Sequence, residues 1–285
     1  MMILDAPRLD AYLARLGIDA PPSPTLEALD TVIAAQLARI PFENVDPLLG
    51  RPVAIDLDTV FDKLVTRGRG GYCFELNTLL AAALAALGFA VIPLAARVRW
   101  GMPDAVQTMP SHMLLRVEAE HRSYIADVGF GGPTPPRALP LSGPAPDASS
   151  YRLVPAPAAL SGSAFHCLDL EVHGASGWMK VYRFDLTPQE WIDFVSRNWY
   201  VATHPDSVFV SRLMAARTDG AARLTLLNGD LAERGADGSV SKVRLGTPAD
   251  VIDALSNRFG LTLDDPLRAA LAGALPNLLQ SAPGS

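Results

Sequence analysis

Cys73 is the side chain in this sequence best suited to act as a nucleophile. It follows a run of glycines and stands in the first turn of a predicted helix, within the segment 67–77, RGRGGYCFELN. The positive end of the helix dipole and the unpaired N–H groups of the first turn stabilise a thiolate. We also expect Arg67 and Arg69 to add positive potential there. A lone cysteine is otherwise most often a small buried residue, and that alternative stays open.

A nucleophilic cysteine needs a base and a third group that orients the base. Of the five histidines, only His112 opens an apolar strand with a carboxylate at a useful distance. If the hairpin that follows turns between residues 119 and 120, His112 lies directly opposite Asp127. Directly opposed residues share a sheet face, about 4.5–5.5 Å apart at Cβ, so Asp127 can hold the imidazole. A one-residue slip would break this argument. The alternatives are a core histidine and a turn aspartate.

Two glycine-rich segments lie close to these residues. The segment 129–132, GFGG, is either a loop whose N–H groups cradle phosphate or a plain β-turn. Neither it nor the segment 68–71 matches a dinucleotide fingerprint or a P-loop. No HExxH or paired CxxC motif is present, and the histidine spacing predicts no metal site. Cys167 stands within a predicted strand, away from glycines, and is interpreted as an inert core thiol.

Composition narrows the class of protein. Of the 285 residues 49% are apolar and 19% charged, and the net charge is −6. These values argue against global disorder and against the basic face of a nucleic-acid-binding protein. Two cysteines are too few for a disulfide scaffold and the N-terminus lacks a signal-peptide pattern, so we expect a cytoplasmic protein.

One uncharged stretch, 76–96, is long enough to cross a membrane. Gly88 and Pro93 interrupt it, so a buried helix followed by a strand is predicted instead. No membrane partner is therefore expected.

The first 90 or so residues are predicted to be helical. One helix with a single apolar face runs from about residue 23 to 40, and a second starts near Asp58 and ends at Gly68. A third, from Cys73 to Leu87, is apolar on nearly all sides and should lie at the centre of the core. Branched and aromatic residues then predict strands over 89–100, 112–119, 122–130, 164–172 and 178–186.

Turn and capping signals organise the remainder. Prolines between residues 133 and 157 predict a long irregular surface loop. The segment 187–190, TPQE, has the form of a capping box and predicts a helix that reaches Trp199. The last third should mix strands and helices: strands over 208–217, 222–230 and 241–246, a hairpin turn at Asn228-Gly229, a helix opened by Thr247-Pro248 and a final helix over 264–275.

Four parts of the sequence resemble one known family, the arylamine N-acetyltransferases. The most specific match is the segment 69–77, RGGYCFELN; the others are PFEN at 41–44, SHMLL at 111–115 with DVGFG at 127–131, and the segment 198–209, which ends HPDSVF. Two positions depart from the pattern. Ser111 stands where the family commonly has threonine, and Ala202 stands where serine is common.

The resemblance implies an α+β fold of three domains. The first is an N-terminal helical bundle over 1–90 that carries the cysteine. The second is a central β-barrel-like domain over 91–186 that carries the histidine and the aspartate. An interdomain helix and a C-terminal α/β lid follow over 187–285, around a Cys-His-Asp core like that of cysteine proteases.

The resemblance also implies the chemistry. The family's catalytic triad matches Cys73, His112 and Asp127, the co-substrate is acetyl-CoA, the acceptors are small aromatic amines or hydrazines, and no metal takes part. Positions near bound coenzyme A match Ser111, Phe130 and Gly131. Positions that line the substrate cleft match Phe42, Phe130 and Phe209. As an alternative, Phe42 and Phe209 are simply core aromatics.

A triad of this kind predicts ping-pong transfer through an acetyl group carried on Cys73. Two other functions stay open. A thiol hydrolase of the protease or transglutaminase type would apply the same three groups to an amide, and a non-catalytic binding module would keep the fold alone.

Overall fold

Helices dominate the N-terminal part of the structure, a computed structural model that describes residues 2–143, 149–157, 167–174, 176–220, 222–235, 237 and 239–280. The elements are α1 (Ala6–Leu16), α2 (Leu26–Arg39), the two-residue strand β1 (Phe42–Glu43), α3 (Val45–Leu48), α4 (Leu57–Phe61) with a π-helical turn (Asp62–Thr66), and α5 (Cys73–Ala86). In α5, 13 of the 14 residues are buried, which confirms the central helix predicted from its uniformly apolar sequence.

A seven-stranded antiparallel sheet forms the middle of the molecule and curls into a nearly closed, barrel-like shape. Its strands are β2 (Ala90–Val98), β3 (His112–Ala119), β4 (Arg122–Ala126), β5 (Leu139–Pro140), β6 (Tyr151–Pro155), β7 (Leu168–Gly174) and β8 (Gly177–Phe184), in the spatial order β5-β4-β3-β2-β8-β7-β6. The uncharged stretch 76–96 is therefore a buried helix and a strand, as predicted. Within the described ranges, no helix is both long and apolar enough to span a bilayer.

Alternation along β3 places the two faces of this sheet in different cores. Met113, Leu115 and Val117 pack against the helices, whereas Leu114 points into the core enclosed by the sheet. Successive strand residues face opposite sides, so one strand serves both cores. This strand begins at His112 and packs against α5, which brings the histidine close to Cys73 at the start of that helix.

The C-terminal part combines helices with a second antiparallel sheet. It contains α6 (Asp193–Thr203), α7 (Val208–Ser211), β9 (Met214–Asp219), β10 (Ala222–Leu227), β11 (Asp230–Arg234), β12 (Val240–Arg244), α8 (Pro248–Asp253) with a π-helical turn (Ala254–Arg258), and α9 (Asp265–Gln280). The strand order is β1-β9-β10-β11-β12. Because β1 comes from the N-terminal part, this sheet is tied directly to the segment that precedes the Cys73 helix.

Several local predictions were confirmed near the C-terminus. Thr247 caps α8 in a capping box with Asp250. Asn228, with φ of +52°, lies in the hairpin turn between β10 and β11. The final helix α9 is longer than predicted, because it continues through Pro276 to Gln280.

Three other predictions were wrong. The TPQE segment forms no cap: the Thr187 N–H donates to Asp185, and α6 begins only at Asp193. The proline-rich stretch is not all loop, because β5 and β6 lie within it as strands of the seven-stranded sheet; its residues 144–148 lie outside the described ranges. The strand predicted over 208–217 begins as the short helix α7. Of the strand predicted over 164–172, residues 164–166 also lie outside the described ranges.

Candidate active site

Cys73 is the first residue of α5 and is 4% exposed. The residue before it, Tyr72, caps the helix and donates its backbone N–H to the Glu75 carboxylate at 3.1 Å. The Cys73 Sγ lies 3.9 Å from the carbonyl oxygen of Ser111. The first N–H groups of a helix have no intrahelical acceptor, so the thiol stands where backbone dipoles favour negative charge.

A network of buried ion pairs holds the start of α5 against the neighbouring elements. Lys63 Nζ lies 2.7 Å from both Glu75 Oε1 and Asp46 Oδ2. Arg69 Nη2 lies 2.6 Å from Glu43 Oε1 and 3.4 Å from Asp46 Oδ2. Buried charges are tolerated when they are paired and hydrogen-bonded in this way. The network residues Glu43, Asp46, Lys63 and Glu75 belong to β1, α3, the first π-helical turn and α5, so the network ties these four elements together.

Arg67 and Arg69, the arginines expected to add positive potential at the thiol, are both paired with carboxylates. Arg69 is ion-paired in the network, and Arg67 lies at the surface, 2.8 Å from Asp62. The N–H groups of the helix start are a source of positive potential that stands at the thiol itself.

The hairpin of β3 and β4 brings His112 to Asp127, in a register different from the predicted one. Ala119 pairs with Arg122, so the turn is centred between Glu120 and His121, one residue later than predicted. Asp127 is therefore two residues away from the position opposite His112. Because side chains alternate with a period of two, this shift keeps both on the same face. His112 Nε2 and Asp127 Oδ2 lie 2.7 Å apart.

Two further groups orient the Asp127 carboxylate. Its Oδ1 accepts hydrogen bonds from Asn77 Nδ2 at 3.0 Å and from the Gly129 N–H at 2.8 Å. Asn77 Nδ2 also donates to the Met113 carbonyl at 2.7 Å, and its Oδ1 accepts from the Val128 N–H at 3.1 Å. Asn77 thus connects α5 to β3 and to the loop that directly follows β4.

The role of Asn77 was missed from the sequence, although one signal was present. It lies four residues after Cys73 in the same helix, and residues with that spacing share a helix face. A polar side chain on the face that carries the nucleophile, in a helix otherwise buried by apolar residues, indicates a partner for another polar group.

The buried pair stabilises the charged forms of both side chains. Burial alone would lower the pKa of His112, but the Asp127 carboxylate, its hydrogen bond and the neighbouring Cys73 thiol raise it to about 10. Burial likewise opposes the Asp127 charge, yet His112, together with the hydrogen bonds from His112, Asn77 and Gly129, keeps its pKa below the usual range. Since Nε2 faces Asp127, Nδ1 is the ring nitrogen left for the thiol.

The loop after Asp127 packs directly on the nucleophile. A Cβ atom on Gly129 would lie 2.5 Å from Cys73 Cα, so only glycine allows this approach. Gly131 has φ of +75° and lies flat on the Phe42 ring, where a Cβ atom would come within 2.5 Å of Cγ. Phe130, between them, meets the His112 ring edge-on at 5.3 Å.

Of the residues predicted to line the substrate cleft, two meet each other and one lies elsewhere. The Phe209 ring lies 5.9 Å from the Phe42 ring and 5.5 Å from the Tyr72 ring, measured between centroids. Phe130 instead contacts His112 and Tyr182. Phe42 is buried and Phe209 half-buried, so Phe209 presents the more open aromatic surface. Tyr72 belongs to this aromatic group and was not predicted.

The residues predicted to lie near the cofactor flank the triad. Ser111 provides the carbonyl nearest the thiol, and Phe130 covers the imidazole. Gly131 also lines a groove of about 600 Å³ on the five-stranded sheet. Other lining residues include Met214, Asp230, Lys242 and Arg244. The groove thus carries two cationic side chains, of which Arg244 lies 2.9 Å from the Asp230 carboxylate.

Cys167 does not lie within a strand as predicted. It precedes β7 and is half-buried rather than part of a core. Burial raises the pKa of its thiol, and the negative charge of Asp185 raises it further. Among the residues that the structure describes, no three His, Cys, Asp or Glu side chains are grouped closely enough to hold a metal ion.

Comparison with known proteins points to one family. A family model described as N-acetyltransferase matches residues 25–268. An arylamine N-acetyltransferase of Mycolicibacterium smegmatis is 41% identical over 265 residues, which cover 90% of this chain and 93% of that protein. The chain belongs to the arylamine N-acetyltransferase family. The family recognised from its motifs is thus confirmed, and the protein is an enzyme of that family.

Other arylamine N-acetyltransferases extend the match to structure and to a second activity. The structure of the Mycobacterium marinum arylamine N-acetyltransferase in complex with CoA superposes with a TM-score of 0.86 at 35% identity, covering 95% of this chain and 99% of that one. The Salmonella typhimurium relative, named arylamine N-acetyltransferase / N-hydroxyarylamine O-acetyltransferase, is 36% identical over 262 residues, covering 90% of each chain.

We predict that Asn77→Ala impairs catalysis as well as stability. The change removes one donor from Asp127 and leaves the Val128 N–H without its acceptor, which costs about 1–3 kcal/mol in a buried site. The misoriented carboxylate should lower turnover by at least about tenfold. Denaturant unfolding and steady-state kinetics measure the two effects. Thr78→Ala, at the neighbouring buried position of α5, serves as control. Turnover of Asn77→Ala equal to that of the control would contradict the assignment.

The raised pKa of His112 should make part of the stability depend on pH. The unfolded chain releases the ring proton near pH 6.5, and the folded protein holds it up to about pH 10. This stabilisation is complete below about pH 6.5 and is lost as the pH rises towards 10. The difference in free energy of unfolding between wild type and His112→Gln should therefore shrink, by at most about 1.4 kcal/mol per pH unit.

Denaturant unfolding at several pH values across that window measures this difference. His121→Gln, at the exposed hairpin tip, should leave the difference from wild type nearly constant. A constant difference for His112→Gln as well would show that the folded protein does not retain the ring proton.

Proposed function

We propose that this enzyme transfers an acetyl group from acetyl-CoA to the nitrogen of a small arylamine or arylhydrazine. The group is carried in between as a thioester on Cys73, in a ping-pong sequence. The observation that carries the proposal is the buried His112–Asp127 pair, with its 2.7 Å hydrogen bond, beside the thiol at the start of α5. The names of the relatives and the CoA complex of the Mycobacterium marinum enzyme support the choice of substrates.

In the free enzyme, the Cys73 proton already lies on His112 Nδ1, so the first half-reaction starts from a thiolate beside an imidazolium. The thiolate attacks the carbonyl carbon of the thioester, and the carbon–sulfur bond to coenzyme A breaks. The leaving thiolate takes the proton from the imidazolium, so that Cys73 holds the acetyl group and His112 is neutral. Asp127 keeps the ring oriented and stabilises its charge throughout.

In the second half-reaction, the neutral amine attacks the carbonyl carbon of acetyl-Cys73. His112 accepts the proton that the amine loses, and the Cys73 thiolate leaves. The free enzyme returns as a thiolate beside an imidazolium. In both halves, the first N–H groups of α5 stand where they can stabilise the tetrahedral oxyanion.

The groove beside Gly131 suits coenzyme A. Its volume of about 600 Å³ and its cationic residues Lys242 and Arg244 match an extended ligand that carries phosphates. Ser111 and Phe130 lie beside the thiol and the imidazole, where the acetyl group has to arrive.

The aromatic group of Phe42, Tyr72 and Phe209 suits the acceptor. Flat aromatic rings pack edge-to-face or offset against aromatic walls. Anilines are weak bases and remain uncharged near pH 7, so an apolar wall does not oppose their binding.

The three-domain division at residues 90 and 186 and a cytoplasmic location are part of the proposal. Three hydrophobic clusters support the division: one centred on the N-terminal helices that also takes in one face of β3 and β4, one inside the seven-stranded sheet and one beneath the five-stranded sheet. The location is supported by the mechanism, which needs Cys73 as a free thiol and hence a reducing compartment.

We predict that incubation with acetyl-CoA alone adds one acetyl group to Cys73. Intact-protein mass spectrometry followed by peptide mapping locates the group. Cys73→Ala should gain none and should lose turnover, whereas the matched variant Cys167→Ala should behave as wild type. Wild-type protein that stays unmodified would contradict the ping-pong sequence, and cleavage of peptide amides without coenzyme A would favour a thiol hydrolase.

A further inference from the structure

The geometry points to Asn44 as a positioning residue for the acceptor side of the cleft, because it holds the segment that carries Phe209. The inference rests on the proposed function, in which Phe209 contacts the arylamine. Asn44 is fully buried and lies outside the catalytic triad. It directly follows β1, the strand that contains Phe42.

The helix that carries Phe209 has little hydrophobic packing of its own. It is only four residues long, Val208–Ser211; none of its side chains is fully buried, and Phe209 alone among the four packs against the hydrophobic core. A helix this short is not stable by itself, because nucleation outweighs what so few hydrogen bonds return. The position of its backbone therefore depends on polar contacts at its two ends.

Asn44 supplies the contacts at the C-terminal end of α7. Its Nδ2 donates to the carbonyl oxygens of Phe209 at 2.9 Å and Arg212 at 2.7 Å. Its Oδ1 accepts from the Met214 N–H at 2.7 Å. The last carbonyls of a helix lack intrahelical donors, so these bonds satisfy groups that would otherwise be orphaned.

Ser207 supplies the contact at the other end. Its Oγ donates to the Val201 carbonyl at 2.6 Å and accepts from the Phe209 N–H at 3.3 Å. Ser207 therefore fixes where α7 begins, and Asn44 fixes where it ends. Phe209 lies between the two, and its backbone carbonyl accepts the hydrogen bond from the Asn44 side chain.

Phe42, on the opposite side of the acceptor cleft, is held in place by contacts of β1, the strand that Asn44 follows. Phe42 pairs with Ala216 in the five-stranded sheet, forms a bridge to Gly71 and lies under Gly131. Its position does not depend on α7. Loss of the Asn44 amide should therefore move Phe209 relative to Phe42, and widen the acceptor cleft, without moving the loop that covers Cys73.

An amide is the side chain that this position requires. It donates twice and accepts once within one planar group, which matches two carbonyls and one N–H. A carboxylate of the same shape, as in Asn44→Asp, would face two carbonyl oxygens without a proton to donate. A shorter side chain, as in Asn44→Ser, would leave at least one carbonyl without a donor.

The test separates the two half-reactions in the full-length enzyme. Single-turnover acetylation of Cys73 by acetyl-CoA is followed by mass spectrometry, and the decay of acetyl-Cys73 is followed with an arylamine such as 4-aminobenzoate. We expect Asn44→Ser and Asn44→Asp to raise the arylamine KM and lower kcat/KM for the arylamine by about tenfold, as for one or two lost hydrogen bonds. Acetylation by acetyl-CoA should fall much less.

Two controls make the result specific. Asn228→Gly removes another asparagine contact nearby, the bond from the Leu213 N–H to Asn228 Oδ1 at 2.9 Å, and should spare the arylamine KM. Phe209→Leu should raise the arylamine KM by itself. The double variant Asn44→Ser with Phe209→Leu should be little worse than Phe209→Leu, because both changes act through one ring.

Four outcomes would overturn the inference. The losses in the two half-reactions could be equal, the effects of the two changes could multiply, or the arylamine KM of the Asn44 variants could stay unchanged. Failure of both Asn44 variants to fold would assign the residue to stability alone. The proposed function fails differently, since wild-type enzyme would then form no acetyl-Cys73. Wild type that forms acetyl-Cys73, with an unchanged arylamine KM in the Asn44 variants, contradicts this inference only.

Discussion

The hydrogen bond between His112 and Asp127 is the interaction on which the rest of the site depends. Both side chains are nearly inaccessible to solvent, so each would lose its charge if the other were absent. Together they favour an imidazolium and a carboxylate, held 2.7 Å apart in an apolar setting. A thiol next to such an imidazolium becomes a nucleophile at neutral pH, which is what acyl transfer through a cysteine requires.

Helix α5 and the hairpin of β3 and β4 assemble this pair cooperatively. The helix presents Cys73 at its N-terminus and Asn77 one turn later, and Asn77 binds backbone groups of β3 and of the loop that follows β4. The ionic network of Lys63, Glu75 and their partners fixes the helix start. Gly129 allows the loop after Asp127 to touch Cys73 itself. Polar groups thus set the geometry, and the apolar cores around them exclude water.

The sequence was informative where a local rule dominates. The uniformly apolar helix, the cysteine at its start and the Thr247 cap follow from dipole, periodicity and capping rules that act within a few residues. The family motifs around Cys73 and His112 then identified the enzyme class, which the relatives confirm. Whether the named triad performs the reaction remains a prediction.

Long-range contacts decided the features that the sequence did not reveal. The hairpin turns at Glu120 and His121, both with positive φ, although neither is the asparagine or glycine that marks such turns, so the register could not be read. The TPQE segment satisfies a capping pattern, but Gln189 donates its N–H to Pro93 in β2, and that tertiary contact replaces the helix turn. Asn44 binds carbonyls some 165 residues further along the chain, a partnership without a local signature.

The protonation state of His112 in the resting enzyme tests the central claim most directly. Nitrogen-15 NMR of histidine-labelled protein distinguishes a ring protonated on both nitrogens from a neutral tautomer. The buried pair predicts that His112 is doubly protonated at neutral pH and keeps both protons until the pH approaches about 10. A neutral ring that titrates near the ordinary histidine value, with Asp127 intact, would contradict the account.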